Sequence, residues 1–284
     1  MLSIFVMYSN DREAAFKEML SFLRNMPLYE SSQKTLVVDG RLKTYYEDWS
    51  FVEVPRVNNR FCWGRMWDAG VLVSKNDKII YLDSDRLLPA NFLEKACSKI
   101  VDDVFVFTSQ HFMMQKPMTH EMCEDFIKDE DCFSNQKFLG YVHYDPRFKK
   151  IVHGPAKNVM SGSTGFTKKT YLRIRGVDHW YCGHGAYADT DFHYQASLEG
   201  CKFIDLGLTE LHYYHSKVDD SGVPVSYEKL KLLSLDNFIR YCLKWNLPMS
   251  LAENVAVNSK IKEPKKYVSQ RLKLLNGSPW NRFE

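Results

Sequence analysis

Apolar runs alternate with helically spaced segments along the first half of the chain. SIFVMY (Ser3 to Tyr8) is a β-type run, and Asp11 to Leu23 follows with apolar residues at helical spacing behind a capping Asn10 or Asp11. TLVV (Thr35 to Val38) gives a second strand ending at Asp39-Gly40, and Phe51 to Val54 a third. Cys62 to Ser74 reads as a helix, Lys78 to Leu82 as a strand, Asn91 to Ile100 as a helix and Val104 to Thr108 as a further strand. Such alternation predicts parallel βαβ units, whose ligands bind at the carboxyl ends of the strands. Asp39 and the Asp83/Asp85 pair occupy such ends.

The pattern loosens from about 110 to 160, a stretch rich in His, Met, Lys and aromatics, which reads as loops and irregular strands shaping a pocket. Gly162 to Lys168 then predicts a strand, Asp189 to Gly200 a helix with an acidic first turn, and Lys202 to Leu206 a strand leading into LHYYHS. Tyr227 to Trp245 predicts a long helix, and the basic tail from Lys260 a surface helix. These boundaries divide the chain into a domain over 1–220, with halves 1–108 and 109–220, and a C-terminal helical extension over 221–284.

Composition narrows the class little. A hydrophobic fraction of 45% and a charged fraction of 26% over 284 residues suit an ordinary globular chain with a substantial core. The net charge of +3 leans only weakly toward phosphate-bearing ligands. MLSIFVMYSN lacks a basic leader and reads as a first strand, not a signal peptide, and no window is apolar for long enough to span a bilayer. Seven scattered cysteines without a CxxC pair predict reduced thiols and a cytoplasmic chain, of a bacterium or a virus-infected cell.

The chemistry begins at KIIYLDSDRLLP, where an apolar strand stops at Asp83-Ser84-Asp85. Two carboxylates one residue apart can converge on a hard cation such as Mg²⁺ or Mn²⁺, which commonly bridges to phosphates. An acidic strand end is also common as a turn or cap. A second pair, Asp189 and Asp191, opens the later helix, where an N-cap would equally explain it. His212 and His215, three apart, can complete a divalent site, and imidazole beside carboxylate favours Mn²⁺ over Ca²⁺.

In order, VVDG, FCWGRMWDAGVLVSKNDKIIYLDSD, IRGVDHWYCGHGAYADTDFHYQASLEG and YYHS resemble the blocks of GT-A glycosyltransferases of the family-2-like kind, including the β-galactosyltransferase C-terminal region. The resemblance spans about residues 1 to 216, and implies that 1–220 is a catalytic domain with 1–108 as its nucleotide-sugar-binding half and 109–220 as its acceptor-binding and catalytic half. It implies an α/β fold of the GT-A type, a Rossmann-like mixed sheet flanked by helices, with the helical extension behind it. It further implies that Asp39 contacts the base, with Arg65 and Asp68 along the nucleotide. Asp83 and Ser84 would lie at the donor, and Asp85, with Asp83, His215 and His212, at the metal. Asp189 would be the catalytic base, with Trp180, Tyr187 and Asp191 near the acceptor. The departure is Ala188, where the family usually carries Glu, which bears on sugar and acceptor specificity.

The implied activity is inverting, Mn²⁺- or Mg²⁺-dependent transfer of a sugar from a nucleotide sugar, UDP-linked first, to a carbohydrate hydroxyl. A rival acceptor is hydroxymethylcytosine in viral or phage DNA, suggested by Lys149, Lys150, Lys157, Lys168, Lys169, Lys260, Lys262, Lys265 and Lys266. A sugar-nucleotidyltransferase fits less well, because SNDREA stands where a glycine-rich phosphate loop would follow the first strand. A binding module without catalysis would use the same pocket.

Overall fold

The computed structural model describes residues 1–56, 60–108, 110–128, 142–144, 162–183, 187–215 and 227–276. Among these, a seven-stranded mixed sheet runs β10-β6-β9-β4-β1-β2-β3. Its strands are β1 (Leu2–Tyr8), β2 (Gln33–Asp39), β3 (Ser50–Val54), β4 (Lys78–Asp83), β6 (Val104–Phe107), β9 (Thr164–Thr167) and β10 (Lys202–Asp205). All are parallel to their neighbours except β9, which runs antiparallel between β4 and β6.

The sheet is buried on both faces, and period-2 alternation sorts its side chains. On β1, Ile4, Val6 and Tyr8 join one core while Phe5 and Met7 join the other; on β4, Ile80 and Leu82 oppose Ile79 and Tyr81. The first core is closed by α1 (Glu13–Leu23), α3 (Phe92–Lys99) and α4 (His120–Lys128). The second is closed by α2 (Trp63–Val73), α5 (Lys168–Arg173) and α6 (Ala188–Leu198), with Trp67 stacked on Phe166 and Tyr171 at its centre. A helix lies close enough to the sheet at Gly70 that a methyl there would come within 2.5 Å of the Phe5 ring.

A smaller sheet, ordered β5-β11-β7-β8, lies beyond the carboxyl edge of the first. It comprises β5 (Arg86–Leu87), β7 (Gln110–Met114), β8 (Val142–Tyr144) and β11 (Thr209–His212). The antiparallel course of β9 has a consequence for this edge. Thr164, at its start, aligns with Tyr81 and Phe107 near the ends of β4 and β6, so the turn at Gly162-Ser163 lands beside the carboxyl ends.

Two sequence expectations need correction. The stretch after residue 110 is not all irregular: α4 forms because Met122, Cys123 and Phe126 bury one face of HEMCEDFIK, and β7 pairs with β11. Residues 129–141 and 145–161, with Lys149, Lys150 and Lys157, lie outside the described residues. The strand at 162–168 is shorter, because Thr167 caps α5 by accepting the Thr170 N–H. The C-terminal helices α7 (Tyr227–Lys244), α8 (Ser250–Asn258) and α9 (Pro264–Asn276) share a small core of Leu235, Ile239, Ala252, Ala256 and Val268. Tyr241 of α7 also joins the second main core.

Gly70→Ala is expected to cost about 1–3 kcal/mol, since the Phe5 ring is buried and has nowhere to move. Urea denaturation measures this, and an unchanged midpoint would contradict the close approach.

Candidate functional site

The site is built where β4 meets the small sheet. After Asp83 the chain turns and returns as β5, whose Arg86 pairs with His212 and Leu87 with Leu211 of β11. The pairing continues past the strand end, because the Tyr213 N–H donates to the Asp85 carbonyl at 2.8 Å. Backbone hydrogen bonds thus fix the carboxylate segment against the histidine segment, although about 125 residues of sequence separate them.

Side chains follow this backbone. Asp85, His212 and His215 bring one ligand atom each within 4.8 Å of one another. His212 Nε2 and His215 Nε2 each lie 3.3 Å from Asp85 Oδ2 and 2.9 Å from each other. Burial alone would raise the Asp85 carboxyl, but the two imidazoles and the Arg86 guanidinium outweigh it and hold it well below the usual carboxylate range. Burial, reinforced by Arg86, pushes His212 below its ordinary value, which leaves its lone pair available as a ligand. Two imidazole nitrogens and a carboxylate oxygen aimed at one point are a poor hydrogen-bonding set, since at most a few protons lie among them. They are a good donor set for a divalent first-row transition-metal ion, a class that includes Mn²⁺.

Asp83 is beside this cluster and not in it. Its Oδ1 accepts the Tyr81 hydroxyl and its Oδ2 lies 3.3 Å from Arg86. Arg86 is the residue that sequence reasoning missed. Only 6% exposed, it ion-pairs with Asp83, with Asp85 at 3.7 Å and with Glu210 Oε1 at 3.2 Å, and hydrogen-bonds to a ring nitrogen of His111. Glu210 is fully buried, its other oxygen accepting the Ser163 N–H at 3.2 Å. Burial raises this carboxyl and Arg86 pulls it back. A methyl on Gly162 would come within 2.2 Å of Glu210 Oε1, so the glycine, at φ +132°, leaves room for the carboxylate. Arg12, just after β1, adds a further cation 3.8 Å from Asp85 Oδ2. The signal for Arg86 was adjacency: a cation directly after DSD, on a two-residue strand.

The remaining expected residues scatter. Ser84 is buried within the DSD turn. Asp39 ends β2 and is held by Arg56, whose Nε lies 3.1 and 3.0 Å from its two oxygens. Arg65 is exposed on α2. Asp68 is instead occupied by the Tyr171 hydroxyl and His179 Nε2, each at 2.7 Å, and ties α2 to the loop after α5. Trp180 lies in that loop, half-buried. Tyr187 sits at φ +83° ahead of α6 and stacks on Phe238 at 4.6 Å, so its ring packs on α7.

Asp189 is half-buried in the first turn of α6, its Oδ1 accepting the Thr190 N–H at 2.8 Å. Asp191 is fully buried, with Lys244 Nζ at 2.7 Å on one oxygen and Trp245 Nε1 at 2.6 Å on the other. These bonds tie α6 to α7, since helical spacing from a half-buried Asp189 turns Asp191 inward.

No family model matches the chain, and no curated protein matches it by sequence. Solved structures do match. The mannosyltransferase PcManGT from Pyrobaculum calidifontis, in complex with GDP-Man and Mn²⁺, superposes with a TM-score of 0.51 at 11% identity, covering 99% of this chain and 81% of that one. GalNAc-T7, with UDP, GalNAc and Mn²⁺, superposes with a TM-score of 0.56 at 13% identity, and this chain spans only 58% of its length. The fold is therefore of the GT-A type, a mixed sheet flanked by helices. Among the described residues no helix is long and apolar enough to cross a membrane.

Two outcomes follow. Glu210→Gln is expected to weaken Mn²⁺ binding by roughly 10–100-fold, because Arg86 then leans entirely on the Asp83/Asp85 carboxylates. Calorimetric titration with Mn²⁺ reads this, and unchanged affinity would remove Glu210 from the site. The hydrogen bond that His179 donates to Asp68 raises the imidazole above its ordinary value, against its partial burial. Stability from that pair is then fully present below about pH 6.5 and lost as pH rises through the folded value. The melting-temperature gap between wild type and His179→Gln should accordingly shrink with rising pH; a gap that widens would reverse the assignment.

Proposed function

We propose that this chain is a metal-dependent glycosyltransferase that moves a sugar from a nucleotide sugar to an acceptor hydroxyl, with inversion. The observation that carries the reading is the convergence of Asp85, His212 and His215 at the carboxyl edge of a GT-A sheet. Asp85, His212 and His215 would hold Mn²⁺ or Mg²⁺, with Asp83 oriented beside it by Tyr81 and Arg86. When bound, that ion supplies Lewis-acid neutralisation of the departing diphosphate.

The chain's own residues carry the rest. Arg86 keeps the acidic pair from repelling itself, and Arg12, next to Asp85, offers a further positive charge at the same rim. Asp39 and its partner Arg56 form the base-reading corner at the end of β2. Asp189 takes the proton from the acceptor hydroxyl as that oxygen attacks the anomeric carbon and the bond to the diphosphate breaks. A carboxylate of ordinary basicity suffices, because the hydroxyl becomes acidic only as the new bond forms. Trp180, in the loop ahead of α6, supplies an apolar face for a sugar ring.

A UDP-linked donor is the first to test and a GDP-linked donor the second. For the acceptor, a carbohydrate hydroxyl is the primary reading. Hydroxymethylcytosine in DNA is the second, favoured by the exposed Lys260, Lys262, Lys265 and Lys266 at and before α9.

A screen of nucleotide sugars with Mn²⁺ against oligosaccharides and hydroxymethylcytosine DNA tests the reading. Asp189→Asn is expected to lower transfer by at least about 100-fold while leaving the nucleotide-induced melting shift intact. Loss of both would move Asp189 to the donor side, and no transfer from any nucleotide sugar by the wild type would end the proposal.

A further inference from the structure

Away from the cation site, two cysteines meet across the chain. Cys62 leads into α2 and Cys182 lies in the loop ahead of α6, and they face each other in an isolated antiparallel bridge. The flanking backbone bond, Gly183 N–H to the Phe61 carbonyl at 2.6 Å, makes them a pair that exchanges no hydrogen bonds of its own. Such pairs bring antiparallel Cα atoms closest, to about 4.5 Å, within the span of about 4.4–6.8 Å that a disulfide needs. Their side chains also converge: Cys62 Sγ and Cys182 Sγ lie 3.6 and 3.2 Å from the same His179 carbonyl oxygen. Both are free thiols, 3% and 8% exposed, and the proposed transfer uses neither.

The two sulfurs are electrostatically unequal. The Cys182 thiol beside Cys62 holds the latter down to about 7 against burial, while the same contact pushes Cys182 up. His179, kept basic by Asp68, adds to the positive surroundings of Cys62. Burial pushes Cys123 up to about 12 and Cys242 up to about 11, as expected of inert core thiols.

We propose that Cys62 and Cys182 form a reversible disulfide, a modification site for small hydroperoxides. The Cys62 thiolate attacks the peroxide, an S–O bond forms as the O–O bond breaks, and the departing oxygen takes a proton to leave as alcohol or water. The Cys182 sulfur then attacks the sulfenic sulfur, the S–O bond breaks, and hydroxide departs as water with the Cys182 proton. Two thiols lose two electrons and one hydroperoxide gains them. Low exposure admits a peroxide of few atoms and disfavours a bulky disulfide such as oxidised glutathione. The new bond would staple the entrance of α2 to the loop that leads into α6 and Asp189, closing a ring of roughly 120 residues.

Graded hydrogen peroxide, followed by alkylation and non-reducing peptide mapping of the full chain, tests this. The expected result is loss of two of the seven thiols, a Cys62–Cys182 linked peptide, a melting temperature raised by about 10 °C, and reversal by dithiothreitol. In Cys182→Ser, a dimedone adduct should accumulate on Cys62, whereas Cys62→Ser should leave Cys182 unreacted. Oxidation of other cysteines before this pair, or dimedone labelling of Cys182 in place of Cys62, would overturn the proposal. None of these readouts depends on glycosyl transfer.

Discussion

Two carboxylates one residue apart, at the mouth of a sheet buried on both faces, repel each other, and the neighbourhood of this edge is arranged around that repulsion. Like charges about 5 Å apart at an effective dielectric of about 20 cost roughly 3 kcal/mol. Asp83 and Asp85 are each given a separate cation-bearing or donor-bearing contact. Tyr81 and Arg86 serve Asp83, while Arg86, Arg12 and the His212/His215 pair serve Asp85. Because Arg86 is itself buried, a third carboxylate, Glu210, is needed behind it. Buried guanidinium and carboxylate tolerate each other only when paired.

That requirement reaches into the topology. Glu210 and His212 lie on β11, two residues apart, so one strand delivers both the counter-charge for Arg86 and an imidazole beside Asp85. The antiparallel β9 delivers Gly162 and Ser163 to the same place, where the missing side chain of one and the backbone N–H of the other receive Glu210. On the far side of the sheet, Asp191 with Lys244 and Trp245 fixes α6, and with it the position of Asp189. The proposed cation edge and the proposed base thus rest on separate buried ion pairs.

Much of this was legible in the sequence, and unevenly so. The strands SIFVMY, TLVV and IIYL carry continuous apolar runs that only doubly covered parallel strands sustain, so the first half of the sheet follows from pattern alone. The convergence of Asp85 with His212 and His215 was readable from residue type and order. Arg86 was not, because a lone arginine after an acidic motif looks like a surface charge until β5 is seen to turn inward. The packing around Asp68 and Asp191 was hidden for the converse reason: acidic residues on helices read as solvent-facing, whereas Tyr171, His179, Lys244 and Trp245 reach them from segments distant in sequence. The helix at 120–128 escaped notice because one buried face of Met, Cys and Phe is short and flanked by charge.

The central claim is that one divalent cation is bound by Asp85, His212 and His215. Pulsed electron paramagnetic resonance of the Mn²⁺-loaded protein tests it most directly, since nitrogen coupling reports imidazole in the coordination sphere. The account predicts coupling from two histidine nitrogens, reduced to one in either His212→Ala or His215→Ala and accompanied by loss of tight binding in Asp85→Ala. Mn²⁺ bound without nitrogen coupling, or with coupling that survives loss of both histidines, would contradict it.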